Sequence, residues 1–195
     1  MPRVQKNLRG YMSDLLLPDY IFKSYKEITP EFLKKLGIKA LLIDIDNTLA
    51  PYEQDLPDED NLNWVKALKQ SGIKATIISN NKKERVELFG QAIGLHAIYK
   101  SKKPFSKNLR IAMRQMESDE TNTAVIGDQL LTDAAAGKHI GLITLIVPPI
   151  NDKRNLFFKT KRAMEVKHIK KYVKLHGEDE KKICSFWLEK QYKNR

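Results

Sequence analysis

Residues 39–54 read KALLIDIDNTLAPYEQ. Ala40, Leu41, Leu42, Ile43 and Ile45 form a run of buried-type aliphatics, yet Asp44 and Asp46 stand where that run should be driest. An isolated buried carboxylate costs several kcal/mol unless it is paired, hydrogen-bonded or bound to a metal, so two of them need a chemical reason. Positions i and i+2 of a strand project to the same side, so both carboxylates can reach one point at the strand's end.

Outward from this stretch, short aliphatic runs recur at residues 40–45, 75–78, 97–99, 123–126 and 142–147, separated by helix-period patterns. That alternation predicts an α/β fold with a mainly parallel five-stranded sheet. The first helix follows an acidic turn (Asp58, Glu59, Asp60), carries Leu62, Val65 and Leu68 on one face, and stops at Gly72. The second carries Val86, Phe89 and Ile93 before Gly94, and the third Phe105, Leu109, Met113 and Met116 after Pro104. Such stripes read as core. Helical patterns at 157–175 and 181–192 follow Asn151, separated by His176 and Gly177; Tyr172, Phe186, Trp187 and Tyr192 within them read as packing residues. The chain divides into an N-terminal extension and amphipathic segment (1–38), a core (39–150) and a basic helical tail (151–195). The amphipathic segment, broken by Pro18 and Pro30, could cover a sheet edge or touch a membrane.

Ligands of parallel α/β sheets bind beyond the carboxyl ends of the strands. Four polar strings end successive runs there: IDIDNT, IISNN, YKSKKP and VIGDQLLTD. Each alone is weak, but their order at consecutive strand ends is a strong joint signal. The histidines, His96, His139, His168 and His176, have no metal-ligand spacing, which argues against a zinc site.

With these motifs the chain resembles the haloacid dehalogenase phosphatases, whose pattern is DxDx(T/S), a Ser or Thr after the second strand, a Lys, and a GDxxxD or GDxxxxD string. LLLPD, DIDNTL, SNN, KKP and GDQLLTD resemble the YqeG-type phosphatases of subfamily IIIA, over about residues 15–149. The resemblance implies a three-layer Rossmannoid sandwich. It also implies a Mg²⁺-dependent phosphomonoester hydrolase working through an aspartyl-phosphate. Asp44 would be the nucleophile and Asp46 the general acid and base. Ser79, the Asn80 backbone N–H and Lys103 would hold the phosphoryl group. Lys102 rivals Lys103, and the family's KP string favours Lys103. Asp44, the Asp46 backbone carbonyl and Asp128 would ligate Mg²⁺, with Asp133 and Thr48 supporting them. Gly127 reads as structural.

The separations leave no room for a cap domain: 79 − 44 = 35 residues from Asp44 to Ser79, then 103 − 79 = 24 to Lys103. An open rim suits a large or surface-bound substrate, or a neighbouring subunit acting as lid. Organelle relatives dephosphorylate phosphatidylglycerophosphate, so the resemblance implies that lipid as substrate. A soluble sugar or nucleotide phosphate is the alternative.

Composition bounds the rest. The chain has 195 residues, 42% hydrophobic and 30% charged, enough for one well-cored domain. Residues 141–150, GLITLIVPPI, fall short of the roughly 20 apolar residues of a spanning helix. The start lacks a signal-peptide pattern and Cys184 is the single cysteine, so a cytoplasmic address is expected, with peripheral contact at the inner face of a membrane. Residues 153–195 hold 14 Lys and Arg against 5 Asp and Glu, a balance of 14 − 5 = +9 out of a net +11. Such a tail suits an anionic partner, a lipid surface or a nucleic acid, or simply a solvated helix face. In the nucleic-acid or ribosome-binding reading the core would be vestigial, which the complete motif set opposes.

Overall fold

The computed structural model describes residues 15–151, 156–177 and 179–189. In its central strand β2 (Ala40–Ile43), Leu41 and Ile43 join one apolar cluster while Ala40 and Leu42 join another on the opposite face. Helices cover both faces, so no position in the strand is wet. β3 (Lys74–Ile78) and β5 (Thr123–Gly127) flank β2, with β4 (His96–Ile98) and β6 (Ile143–Ile146) outside them. Every pairing is parallel.

The sheet has six strands, not the five that periodicity predicts. The extra edge strand β1 (Tyr20–Ile21) pairs with β6, Tyr20 opposite Leu145. Two residues offer no alternation to detect. Asp19 fixes the register instead: its Oδ2 accepts from the Thr144 N–H at 2.9 Å and the Thr144 hydroxyl at 3.0 Å, and Lys138 Nζ lies 2.6 Å from its Oδ1. The Asp of LLLPD is therefore a sheet clamp, and the segment covers the edge.

α1 (Pro30–Lys35), α2 (Glu59–Gln70) and α3 (Lys83–Ile93) pack on one face. α4 (Lys107–Gln115) and α5 (Ala135–Lys138) pack on the other, giving three layers. Asp58 caps α2 through a reciprocal pair with Asn61. The buried stripe of α2 is Asn61, Trp64, Val65 and Leu68, so Leu62, expected inside, is 42% exposed. Asn61 takes the inward place because its Nδ2 donates to Tyr25 Oη at 2.7 Å and Leu49 O at 3.0 Å, which satisfies a buried amide. Val86, Phe89 and Ile93 are buried in α3 as predicted, and Gly94, at φ +70°, ends it. Leu109, Met113 and Met116 are buried, but Phe105 precedes the start of α4 and is 72% exposed.

α6 (Leu156–His176), α7 (Glu180–Ile183) and α8 (Ser185–Glu189) follow. Val166, Ile169, Tyr172, Val173, Cys184 and Trp187 pack with Ile21, Leu130, Ala134 and Ile146. This burial against Ile21, with the Ile21 N–H donating to Tyr172 Oη at 3.2 Å, helps hold the short edge strand. Of the helical pattern expected over 181–192, the described stretch up to Glu189 forms two short helices parted at Cys184. Tyr192 lies outside the described residues.

Candidate active site

The site grows from loops leaving the carboxyl ends of the strands. Asp44 extends the β2 ladder by donating its N–H to Ile126 O at 3.0 Å. The chain then folds back on Ile45, whose carbonyl accepts from the N–H groups of Thr48, Leu49 and Ala50 at 3.1, 2.9 and 3.1 Å. Thr48 is fully buried inside this turn. Asp44 and Asp46 thus reach the same cleft, of about 250 Å³, with Tyr52, Ser79, Asn80, Asn81, Lys103, Gln129, Thr132 and Lys161.

Asn80 organises the lysine loop. Its side-chain oxygen accepts from the Ser101 hydroxyl and the Lys103 N–H, both at 2.8 Å, and its Nδ2 donates to Lys103 O at 3.0 Å. Lys102, at φ +58°, points to the surface, and Lys103 is buried. Lys103 Nζ lies 2.7 Å from Asp44 Oδ1, 2.6 Å from Asp133 Oδ1 and 2.8 Å from Ile78 O. Burial alone would lower its pKa, but the carboxylates of Asp133 and Asp44 outweigh that and hold the ammonium above its ordinary pKa. Asp44 moves the other way: burial lifts its carboxyl well above the usual range against the pull of Lys103, and Asp133, Asp46 and Asp128 add to the rise.

Asp46 has different partners. Arg85 Nε donates to its Oδ1 at 2.7 Å, while Ser79 Oγ and Asn81 Nδ2 donate to Oδ2 at 3.2 and 3.0 Å. Arg85 also donates to Pro51 O at 3.1 Å and Gln54 O at 2.8 Å, pinning the loop that carries Tyr52. Asn81 spends its amide on Asp46, and Lys82 occupies the N-cap position of α3.

Beyond β5 the chain makes a π-helical turn, Leu130–Ala134, which brings Asp133 back over the strand end. The fit explains Gly127: an added Cβ would lie 2.2 Å from Asp133 Cγ. Asp44, Asp128 and Asp133 each place a carboxylate oxygen within 4.8 Å of the others, so Asp133 stands in the cluster itself. No histidine belongs to it. Asp128 is fully buried; burial first, and then Asp133, raises its carboxyl to about 7 despite the lowering by Arg162. Arg162 comes from α6, with Nη2 2.5 Å from Asp128 Oδ2 and Nη1 2.8 Å from Asp128 O.

Tyr52, Arg85, Lys161, Arg162 and Glu165 escape motif reading. Gln129 and Thr132 sit inside GDQLLTD, a signal that could have found them.

A parallel sheet with this carboxylate and lysine cluster at its strand ends is the framework of a haloacid dehalogenase-type phosphatase. A sequence model described as mitochondrial PGP phosphatase matches residues 6–151. The chain is 37% identical over 154 residues to "Probable phosphatase YqeG" of Bacillus subtilis (strain 168), covering 79% of this chain and 90% of that protein. The chain belongs to this phosphatase family and is a phosphoric monoester hydrolase. Among solved structures, the cobalt-bound deoxy-D-mannose-octulosonate 8-phosphate phosphatase of Haemophilus influenzae matches with TM-score 0.48 and 16% identity, over 74% of this chain and 97% of that one. The 3-deoxy-D-manno-octulosonate 8-phosphate phosphatase of Moraxella catarrhalis matches with TM-score 0.45 and 16% identity, over 74% and 95%.

Proposed function

We propose that the protein hydrolyses a phosphomonoester through an aspartyl-phosphate on Asp44, and that its substrate is phosphatidylglycerophosphate. The observation that carries the mechanism is the separate pairing of the two carboxylates, Asp44 with Lys103 and Asp46 with Arg85. An Asp44 oxygen attacks phosphorus, the bond to the leaving oxygen breaks, and that oxygen takes a proton from the Asp46 carboxyl. Asp46 then removes a proton from water as it attacks the same phosphorus, releasing inorganic phosphate and restoring Asp44. Ser79 and the Asn80 N–H hold phosphoryl oxygens, and Lys103 offsets the growing negative charge. Asp133 keeps Lys103 in place, and Thr48 supports the turn after Asp46.

The acidic cluster fits Mg²⁺. Asp128 Oδ1 is buried without a hydrogen-bond partner, and an all-oxygen set suits a small hard cation. Asp44, the Asp46 backbone carbonyl and Asp128 would hold it. Bound there, Mg²⁺ supplies the positive charge that draws the phosphate into a site of carboxylates.

The family description supports the lipid reading, as does the cleft, which opens without a cap between β2 and β3 or between β3 and β4. Lys161 on the cleft wall gives a cation for the phosphodiester beside the scissile monoester. No helix among the described residues is long and apolar enough to cross a membrane. The exposed lysines of α6 would bring the enzyme to its lipid at the inner face. Phosphate release should be measured from phosphatidylglycerophosphate in vesicles and from soluble sugar and nucleotide phosphates, each with Mg²⁺ and with chelator. A preference for a soluble ester would overturn the lipid assignment, and full turnover in chelator would overturn the cation.

A further inference from the structure

Arg162 lies outside the stretch the family model matches, residues 6–151, yet it enters the acidic cluster. Its Nη2 lies 2.5 Å from Asp128 Oδ2, and its Nη1 donates to Asp128 O at 2.8 Å and Glu165 Oε2 at 2.9 Å. Glu165 Oε1 in turn accepts from the Leu130 N–H at 2.8 Å, in the turn that follows Asp128. The side chains of Arg162, Asp128 and Glu165 are 11%, 0% and 0% exposed. Buried charges persist only where pairing compensates their desolvation, and here one guanidinium pairs with two carboxylates. It leaves Asp128 asymmetric: Oδ2 lies under a guanidinium, and Oδ1 has no hydrogen-bond partner.

We propose that Arg162 is a positioning residue that restricts Asp128 to one-oxygen ligation and so sets the site's preference for Mg²⁺ over Ca²⁺. The inference rests on the reading of Asp44, Asp46 and Asp128 as the cation site. Mg²⁺ demands near-octahedral geometry with about six oxygens, whereas Ca²⁺ accepts about six to eight and takes carboxylates through both oxygens. A second oxygen from Asp128 would serve only the larger ion. Arg162 keeps that oxygen occupied, and Glu165 keeps Arg162 from swinging away.

Removing the guanidinium also removes a positive charge near the cation. That change acts on two divalent ions alike, so the ratio of their affinities isolates the geometric effect. The experiment is calorimetric titration of the chelator-stripped full chain with Mg²⁺ and, separately, Ca²⁺. The wild type, Arg162→Met, Arg162→Lys and the double variant Arg162→Met/Glu165→Gln are compared, with folding checked by circular dichroism. Arg162→Met should shift the ratio of affinities toward Ca²⁺ by about tenfold, the scale on which residues behind metal ligands act. Arg162→Lys should stay near wild type, because an ammonium still covers Oδ2. The double variant removes the carboxylate that losing Arg162 strands, so it gives the same reading if the single variant does not fold. An unchanged ratio in the folded variants, including equal weakening of both ions, overturns the proposal. Absence of Mg²⁺ binding by the wild type overturns the cation reading beneath it as well.

Discussion

Arg85 Nε lies 2.7 Å from Asp46 Oδ1, which ties α3 to the turn after β2. The remaining donors of Arg85 reach Pro51 O and Gln54 O, so one side chain aims the proposed acid and base and also closes the loop at the cleft mouth. Arg85→Met should lower kcat by about a hundredfold, the scale of a 1 Å misplacement at a reacting group. Arg85→Lys should restore part of the loss, since an ammonium can reach one of those acceptors. Steady-state kinetics on a soluble phosphoester checks this, and an unchanged kcat removes Arg85 from the site.

Asp44→Asn separates chemistry from folding. Burial holds the Asp44 carboxyl well above its ordinary pKa, so its charged form is disfavoured in the fold, and a neutral isostere relieves that penalty. Turnover should fall by about 10⁴-fold or more, as for other nucleophile deletions, while the melting temperature does not drop. Retained turnover in the folded variant would disprove the covalent mechanism.

If Asp128 holds the cation, binding should depend on pH. Its folded pKa of about 7 stands above the ordinary 3.8. In the metal-free protein its contribution to stability is therefore fully present below about 4 and is lost as pH rises through about 7. A cation binds the ionised form, so Mg²⁺ should raise the melting temperature more at pH 8 than at pH 5.5. Equal increments at the two pH values would mean that Asp128 does not hold the ion.

Gly127→Ala tests the packing behind Lys103. The new Cβ would overlap the Asp133 carboxyl, which has to shift and release Lys103 Nζ from its 2.6 Å contact. Overpacking of this kind costs about 1–3 kcal/mol, and activity should fall with it. Denaturant unfolding together with phosphate release gives both readings; a stable, fully active variant would show that Asp133 adapts without effect.

The motif residues were legible because each follows a strand whose aliphatic run marks its end, so Asp44, Ser79, Lys103 and Asp128 could be gathered on one rim from order alone. Residues that reach the rim from helices carry no such mark. Arg85 and Arg162 are two among 35 Lys and Arg, and their partner, Asp46 or Asp128, is distant in sequence. Leu62 misled because a satisfied buried Asn61 reads as polar and therefore as outward-facing. β1 was invisible to periodicity because Asp19, rather than an alternating pattern, sets its place.

The structure also changes how the basic tail must be tested. Removing everything after Asn151 would delete Arg162 and Glu165 with the lysines, so such a truncation would confuse docking with damage to Asp128. Lys167, Lys170, Lys171 and Lys174 stand at i, i+3, i+4 and i+7 of α6 and are all exposed, whereas Val166, Ile169 and Val173 are buried. Each basic residue near an anionic bilayer contributes about 1 kcal/mol, decaying over about 10 Å at 0.1 M salt. Replacing all four by Gln, which keeps helix propensity, should therefore weaken vesicle binding by roughly a thousandfold at low salt. Sedimentation with phosphatidylglycerol vesicles should be lost, and turnover of vesicle-borne lipid should fall, while the rate on a small soluble phosphoester stays at wild type. If the variant sediments as well as the wild type, this stripe is not the anchor. If the wild type ignores vesicles and binds RNA with steep salt dependence, the lipid surface gives way to a nucleic acid.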